Sequence, residues 1–155
     1  MNKNYIFIFV FLFIFCMLAN ADLLPKAVLL PSDSVAIRDD ALATTINPAG
    51  LGANSGFNGS YFHTVSDKFG GDDAYFLSNG GIGFGAEYVA HSSLKFRKYS
   101  ISDSIKIADG IYLGTAYSWF NSGDRDYDKL SSWDIGLLSR PSNTISIGIV
   151  ARNLN

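Results

Sequence analysis

Hydrophobic and polar residues alternate one by one along most of the chain after residue 56, and a period of two is the signature of β-strands. The pattern is clearest in residues 132–152, where large apolar side chains alternate with glycine, serine and charge on both sides of a short turn at 141–143. Seven such runs are found, at 57–65, 74–78, 82–90, 94–107, 111–120, 132–140 and 144–152. We therefore predict an all-β fold of about seven antiparallel strands.

Each predicted strand has one large apolar face and one face of glycine and small polar residues. In the third strand Ile82 and Phe84 alternate with Gly83 and Gly85. The fourth strand is less regular, because Asp103 falls among its isoleucines, and this irregularity indicates a bulge or a strand break near residues 103–104. An apolar face opposite a glycine-rich face is typical of strands with lipid on one side and a polar lumen on the other.

The connections between the predicted strands alternate in length. Short turns at 79–81, 108–110 and 141–143 are of the kind that close hairpins. The connections 66–73 and 121–131 are longer and charged, while the intervening link at 91–93 is brief. Outer-membrane barrels have short periplasmic turns and longer external loops. The chain is therefore predicted to be an up-and-down meander and part of a transmembrane β-barrel, entering from the periplasm.

Two regions precede this meander, which occupies residues 57–155. Residues 1–21 have a basic Lys3, an apolar run at 5–18 and the A-x-A cleavage form at 19–21, which together predict a signal peptide and export. Residues 22–56 form an N-terminal segment with a short helix predicted over 35–42, and the helix should end before Pro48 because the preceding residue is restricted.

The stretch Asp39-Asp40-Ala41, followed after a few positions by Asn47-Pro48-Ala49-Gly50-Leu51, resembles the entry segment of FadL-type outer-membrane transporters and of the related PorV-like barrels. In those families this segment precedes the first barrel strand and lies at the periplasmic side or inside the barrel mouth. The resemblance implies an outer-membrane location and a role in transport or anchoring. A helix stop and tight turn of an unrelated fold is the simpler alternative.

Two other functions remain open. Residues 112–120, 130–138 and 140–142 resemble the barrel-like N-terminal extension of some long signal peptide peptidases of the protease IV type. In that case the catalytic serine and lysine would lie beyond residue 155. Seven strands do not complete a single-chain barrel, so we expect either the N-terminal part of something longer or a truncated gene. The third alternative is a soluble, secreted β-sandwich that binds a ligand.

The amino-acid composition excludes some classes of function and favours others. The chain has 12 basic and 14 acidic residues, so it lacks the basic footprint of a nucleic-acid-binding protein. Its single cysteine, Cys16, lies in the predicted signal peptide, so no disulfide staples the exported part. Aromatic residues make up 14% of the chain, and membrane barrels use aromatic residues as girdles at both interfaces.

Four sequence patterns approach catalytic or metal-binding motifs, and each lacks a required part. The acidic run 124–128 has calcium-loop spacing without the Gly and Glu that an EF-hand needs at positions six and twelve. The glycine-rich run 80–85 opens a strand, not a helix. Ser92 and Lys95 would point to opposite faces of a strand, and His63 and His91 have no further metal ligands nearby. We predict no catalytic, cofactor-binding or metal-binding residue, and no cofactor.

Four charged residues share the glycine-bearing side of the predicted strands and are the candidate lumen-facing residues: Glu87, Asp134, Arg140 and Arg152. They would line a pore, support the N-terminal segment or simply face water. The main hypothesis is a non-catalytic outer-membrane β-barrel segment for passage of a small compound or for anchoring. Its expected partners are outer-membrane lipid and either a small hydrophobic ligand or a secretion or peptidase partner, with no nucleic acid.

Overall fold

The computed structural model describes residues 30, 34–64, 71–91, 94–125 and 128–154. The predicted signal peptide lies outside these residues. The described strands pair antiparallel in one open sheet, in chain order from β1 to β7. Their bounds are β1 Asn58–Thr64, β2 Asp72–Asn79, β3 Ile82–His91, β4 Leu94–Ala108, β5 Ile111–Ser122, β6 Ser131–Ser142 and β7 Ile145–Leu154.

The predicted all-β meander of seven strands is confirmed, and each strand pairs with the next one along the chain. A β-sandwich needs two sheets, whereas the described strands form one. The hairpin that joins β2 to β3 turns through Gly80 and Gly81, which have φ values of 59° and 92°. Positive φ at both central positions matches the twist of the flanking strands and favours glycine.

The predicted alternation along the strands is also confirmed. Large apolar side chains are exposed on one side of the sheet, which we call the apolar face: Leu77, Ile82, Phe84, Ile101, Ile105, Ile107, Ile135, Leu137, Ile145, Ile147 and Ile149. The opposite side, which we call the glycine face, carries Gly83, Gly85, Gly114, Gly136 and Gly148. Ile82 is 62% exposed whereas its neighbour Gly83 is buried. The two faces therefore have different surroundings.

The helix predicted over 35–42 is wrong. Residues 35–37 and 40–42 form turns, and the α-helix, α1, comprises only Ala43–Ile46. The Asp40 carboxylate accepts a hydrogen bond from the Leu42 amide at 3.0 Å, so the polar side chain caps a turn just before α1. Helix α1 does end before Pro48, as predicted, and a 3-10 helix, Pro48–Ala53, follows.

The predicted bulge beside Asp103 is wrong as well. Strand β4 continues through Asp103, which lies exposed and pairs with Ile82 and Thr115. The register shifts further along β4, between Lys106 and Ala108. A second shift falls between Ser139 and Ser142, where Pro141 has no amide to donate to the ladder. The missing donor of a proline is thus accommodated at an irregularity.

The hydrophobic core lies between the glycine face and the residues that precede β1. Leu42 and Ala41, from the N-terminal segment, belong to one buried cluster with apolar side chains of strands β2 to β5: Ala74, Phe76, Val89, Phe96 and Phe120. One side of the sheet is therefore covered, because residues that precede β1 bury side chains of its glycine face.

Candidate functional site

Within the N-terminal segment, residues 34–54 lie across the glycine face. The backbone at Pro48 and Ala49 occupies the space where a Cβ on Gly114 would stand, and the Asn47 amide oxygen occupies the corresponding space at Gly136. These glycines leave room for a second backbone to approach the strands closely. Gly114 and Gly136 are therefore explained by direct contact with the segment.

Asn47 fixes the segment at the end of α1. Its side-chain oxygen accepts from the Ala49 amide at 3.1 Å, and its side-chain nitrogen donates to the Val35 carbonyl at 2.6 Å and to the Leu137 carbonyl of β6 at 3.4 Å. The residue is fully buried. One amide side chain thus joins two parts of the segment to each other and to the sheet, using both its donor and its acceptor.

Two arginines hold the segment through charged groups, Arg140 beside the short turn between β6 and β7 and Arg152 near the opposite end of β7. The Arg140 guanidinium lies 3.0 Å from the Asp39 carboxylate and donates to the Ile37 carbonyl at 3.3 Å. The Arg152 guanidinium donates to the Ile46 carbonyl at 2.8 Å. Both arginines therefore bind the segment at separate points, and they do not form a joint site.

Glu87 is the most buried of the four candidate charges. Its side chain is 2% exposed and lies 3.1 Å from the Lys98 ammonium, which is also within 3.5 Å of the Thr45 hydroxyl. A buried carboxylate needs such a partner, because an isolated buried charge is very costly. The pair therefore lies beneath the N-terminal segment.

Asp134 has a local role. Its carboxylate accepts from the Asn153 amide at 2.9 Å, and Asn153 has a positive φ of 56° beside a register shift between β6 and β7. The four candidate charges thus share the glycine face, but each of them makes a different contact. Sequence reasoning singled out Asn47 as part of a motif but not its contact with the sheet, and it missed Lys98, which does not stand out until the segment is seen to cover this face.

A cleft of about 680 Å³ opens beside the segment at the short-turn end. Ile37 borders it from the segment, and Tyr112, Arg140 and Ser146 border it from the sheet. The Ser146 hydroxyl donates to the Ala36 carbonyl, which ties β7 to the segment there. The cleft is therefore the open space next to the docked segment, with both polar and apolar groups around it.

The apolar face is organised in levels along the strands. The cross-strand register aligns four aromatic residues at one level, interrupted at Ala86 of β3: Tyr61, Tyr75, Tyr99 and Trp119. We call this level the aromatic row. The Tyr61 and Tyr75 rings stack at 4.7 Å, and the Tyr99 and Trp119 rings at 5.6 Å.

The two sides of the aromatic row differ in polarity. Towards the short turns the face is largely aliphatic, with Asp103 as an exposed acidic position. Towards the longer connections lie polar groups such as His63, Asp73 and Arg97. The Asp73 carboxylate accepts from the Tyr61 hydroxyl at 2.7 Å and lies 2.9 Å from the His63 ring nitrogen. The row therefore separates an aliphatic surface from a polar one.

Comparison with protein-family models, with curated proteins and with solved structures finds no match to this chain. Among the described residues, no helix is long and apolar enough to cross a bilayer. In the same part of the chain, no three histidine, aspartate or glutamate side chains lie close enough together to hold a metal ion. The two faces of the sheet are therefore the features of the described residues that bear on function.

Proposed function

We propose that this chain forms part of the wall of an outer-membrane β-barrel, with the apolar face toward lipid and the glycine face toward the interior. The observation that supports the proposal is the continuous exposure of large apolar side chains on one face, from Leu77 and Phe84 to Ile147 and Ile149. Soluble proteins seldom expose apolar patches larger than a few hundred Å². Exposure of such a patch to water is unfavourable, and this free-energy cost is absent where the face contacts lipid.

The dimensions of the face fit a bilayer. From Tyr99 to Ile107, strand β4 covers roughly 26 Å at ~3.3 Å per residue, or about 20 Å at the ~40° tilt of barrel strands. The outward apolar band of such barrels is about 25 Å tall and is bordered by aromatic residues. Asp103 lies within this band and destabilises the inserted state, but an acidic residue on the lipid face is less destabilising than Arg or Lys.

The covered interior agrees with a non-catalytic role. The glycine face carries the docked N-terminal segment, and Arg140, Arg152 and Lys98 of this face bind it. The resemblance of residues 39–51 to FadL-type and PorV-like entry segments favours passage of a small compound or anchoring of a partner. Release of a trapped small solute from liposomes that contain the full chain supports passage, and retention of the solute supports anchoring.

The lipid-facing assignment is tested with the two tryptophans of the chain, Trp119 and Trp133, which are both exposed on the apolar face. In bilayers with brominated acyl chains, we expect strong quenching of each single-tryptophan variant. The matched control carries Phe120→Trp as its one tryptophan, because Phe120 is buried on the opposite face of the same strand.

Quenching of both natural tryptophans, with little quenching of the control, supports the proposal. A monomer that stays in solution without detergent, with tryptophans accessible to iodide and untouched by brominated lipid, contradicts it. Heat-modifiable migration of the detergent-solubilised chain provides a second, independent readout of a membrane barrel.

A further inference from the structure

The aromatic row has one gap, and the gap forms a cleft on the apolar face. Ala86 stands between Tyr75 and Tyr99 in the cross-strand register, so its small side chain leaves an apolar cleft of about 290 Å³. Tyr88 and Arg97 border the cleft on the side of the longer connections. The cleft is therefore apolar in its depth and cationic at its rim.

A second cleft, of about 260 Å³, adjoins the first and shares Tyr88 and Arg97 with it. Its lining is mainly polar and includes Lys95 and Asn121. The Arg97 guanidinium lies 5.9 Å from the centre of the Tyr88 ring, a cation–π arrangement that orients the charge at the junction of the two clefts. One apolar and one cationic compartment thus lie side by side.

We propose that these joined clefts bind a membrane lipid with an anionic phosphate head, whose acyl chain lies over Ala86 and whose phosphate is bound by Arg97 and Lys95. Guanidinium groups suit phosphate oxygens because they donate two parallel hydrogen bonds. The inference rests on the proposed function, since it requires the apolar face to meet lipid. It adds a specific site and a headgroup chemistry.

The carboxylates near the clefts have other partners. Asp73 is engaged by Tyr61 and His63, and Asp128 accepts from the Ser122 amide at 3.4 Å. The Glu87 carboxylate, on the other face of β3, is paired with Lys98. Among the described residues, Arg97 has no ion pair with any of them. Its charge is therefore directed to the surface where a headgroup would lie.

The test uses the full chain in neutral detergent micelles and measures binding of short-chain phosphatidylglycerol, short-chain phosphatidylcholine and inorganic phosphate. A Lys or Arg near an anionic lipid surface favours binding by a factor of about five. We expect phosphatidylglycerol to bind about 25-fold more tightly than phosphatidylcholine, with no measurable binding of free phosphate.

Two variants separate the two compartments. Arg97→Gln should reduce the preference for the anionic lipid about fivefold, and Ala86→Phe should weaken both lipids by filling the apolar cleft. Arg125→Gln is the matched control, because it removes an exposed charge from a connection at the same end of the sheet. The control should leave both affinities unchanged.

Three results would overturn the inference: no preference between the two lipids, an equal loss in the Arg125→Gln control, or binding of free phosphate as tight as that of the lipid. The tryptophan quenching in phosphatidylcholine bilayers keeps this failure distinct from failure of the proposed function. Quenching without headgroup preference rejects the lipid site alone, whereas absence of quenching rejects the lipid-facing wall and the site with it.

Discussion

Leu42 offers the sharpest test of whether the N-terminal segment is an integral part of the fold. Its side chain is 1% exposed and belongs to the cluster that contains Phe76, Phe96 and Phe120. Substitution by alanine removes the buried side chain and leaves a cavity, and such changes cost about 2–5 kcal/mol. Rigid strands carry the three aromatic rings, so the site collapses poorly, and we expect a loss of about 3–4 kcal/mol.

The assay is equilibrium unfolding of the full chain by urea in detergent micelles, followed through tryptophan fluorescence. The matched control is Ile37→Ala, because Ile37 belongs to the same segment but is 57% exposed. We expect this control to change the free energy of unfolding by less than about 0.5 kcal/mol. Limited proteolysis of the folded protein provides a second readout, with cleavage inside residues 34–54 faster only in the Leu42 variant.

Equal effects of the two substitutions would refute this reasoning, since they would mean that the segment does not pack on the sheet. A large loss of stability without faster cleavage of the segment would also count against it. In that case Leu42 would matter for a reason other than docking of the segment onto the glycine face.

Three further predictions concern the two faces. Gly114→Val should displace the segment, because a side chain there overlaps the segment's backbone. It should lower the free energy of unfolding by about 1–3 kcal/mol. The control Gly123→Val, whose side chain meets open space, should lower it by less than about 0.5 kcal/mol. Glu87→Gln should cost about 2 kcal/mol, since it leaves a largely buried ammonium without its carboxylate, and the added change Lys98→Met should recover part of this loss. Ile101→Arg should destabilise the bilayer-inserted protein by about 2–4 kcal/mol, as measured by unfolding from vesicles.

The strands were predictable because the alternation of residues such as Ile82 and Gly83 is a local property. A strand places consecutive side chains on opposite faces whatever the rest of the chain does. The turns at Gly80-Gly81 and Gly110 were also predictable from the local sequence, because the positive φ values of such turns favour glycine.

The part of the chain that packs on the glycine face was harder to predict. A glycine in a strand can mark a crowded wall, a bulge or the close approach of another backbone, and the sequence does not distinguish these causes. Only the docked segment shows that Gly114 and Gly136 serve close approach. The helix over 35–42 was wrong because its mixed run of apolar and polar residues also fits the turns that place Asp39 and Asn47 against β6.

The contacts of the segment have a consequence for the order of folding. Each strand pairs with its neighbour in the chain, so every hairpin closes a short loop. The Arg140–Asp39 and Arg152–Ile46 contacts instead span 101 and 106 residues. Contacts so distant in sequence carry a larger loop-closure cost and are late and slow to form. We therefore expect residues 34–54, although they precede every strand, to be the last of the described chain to reach their native position.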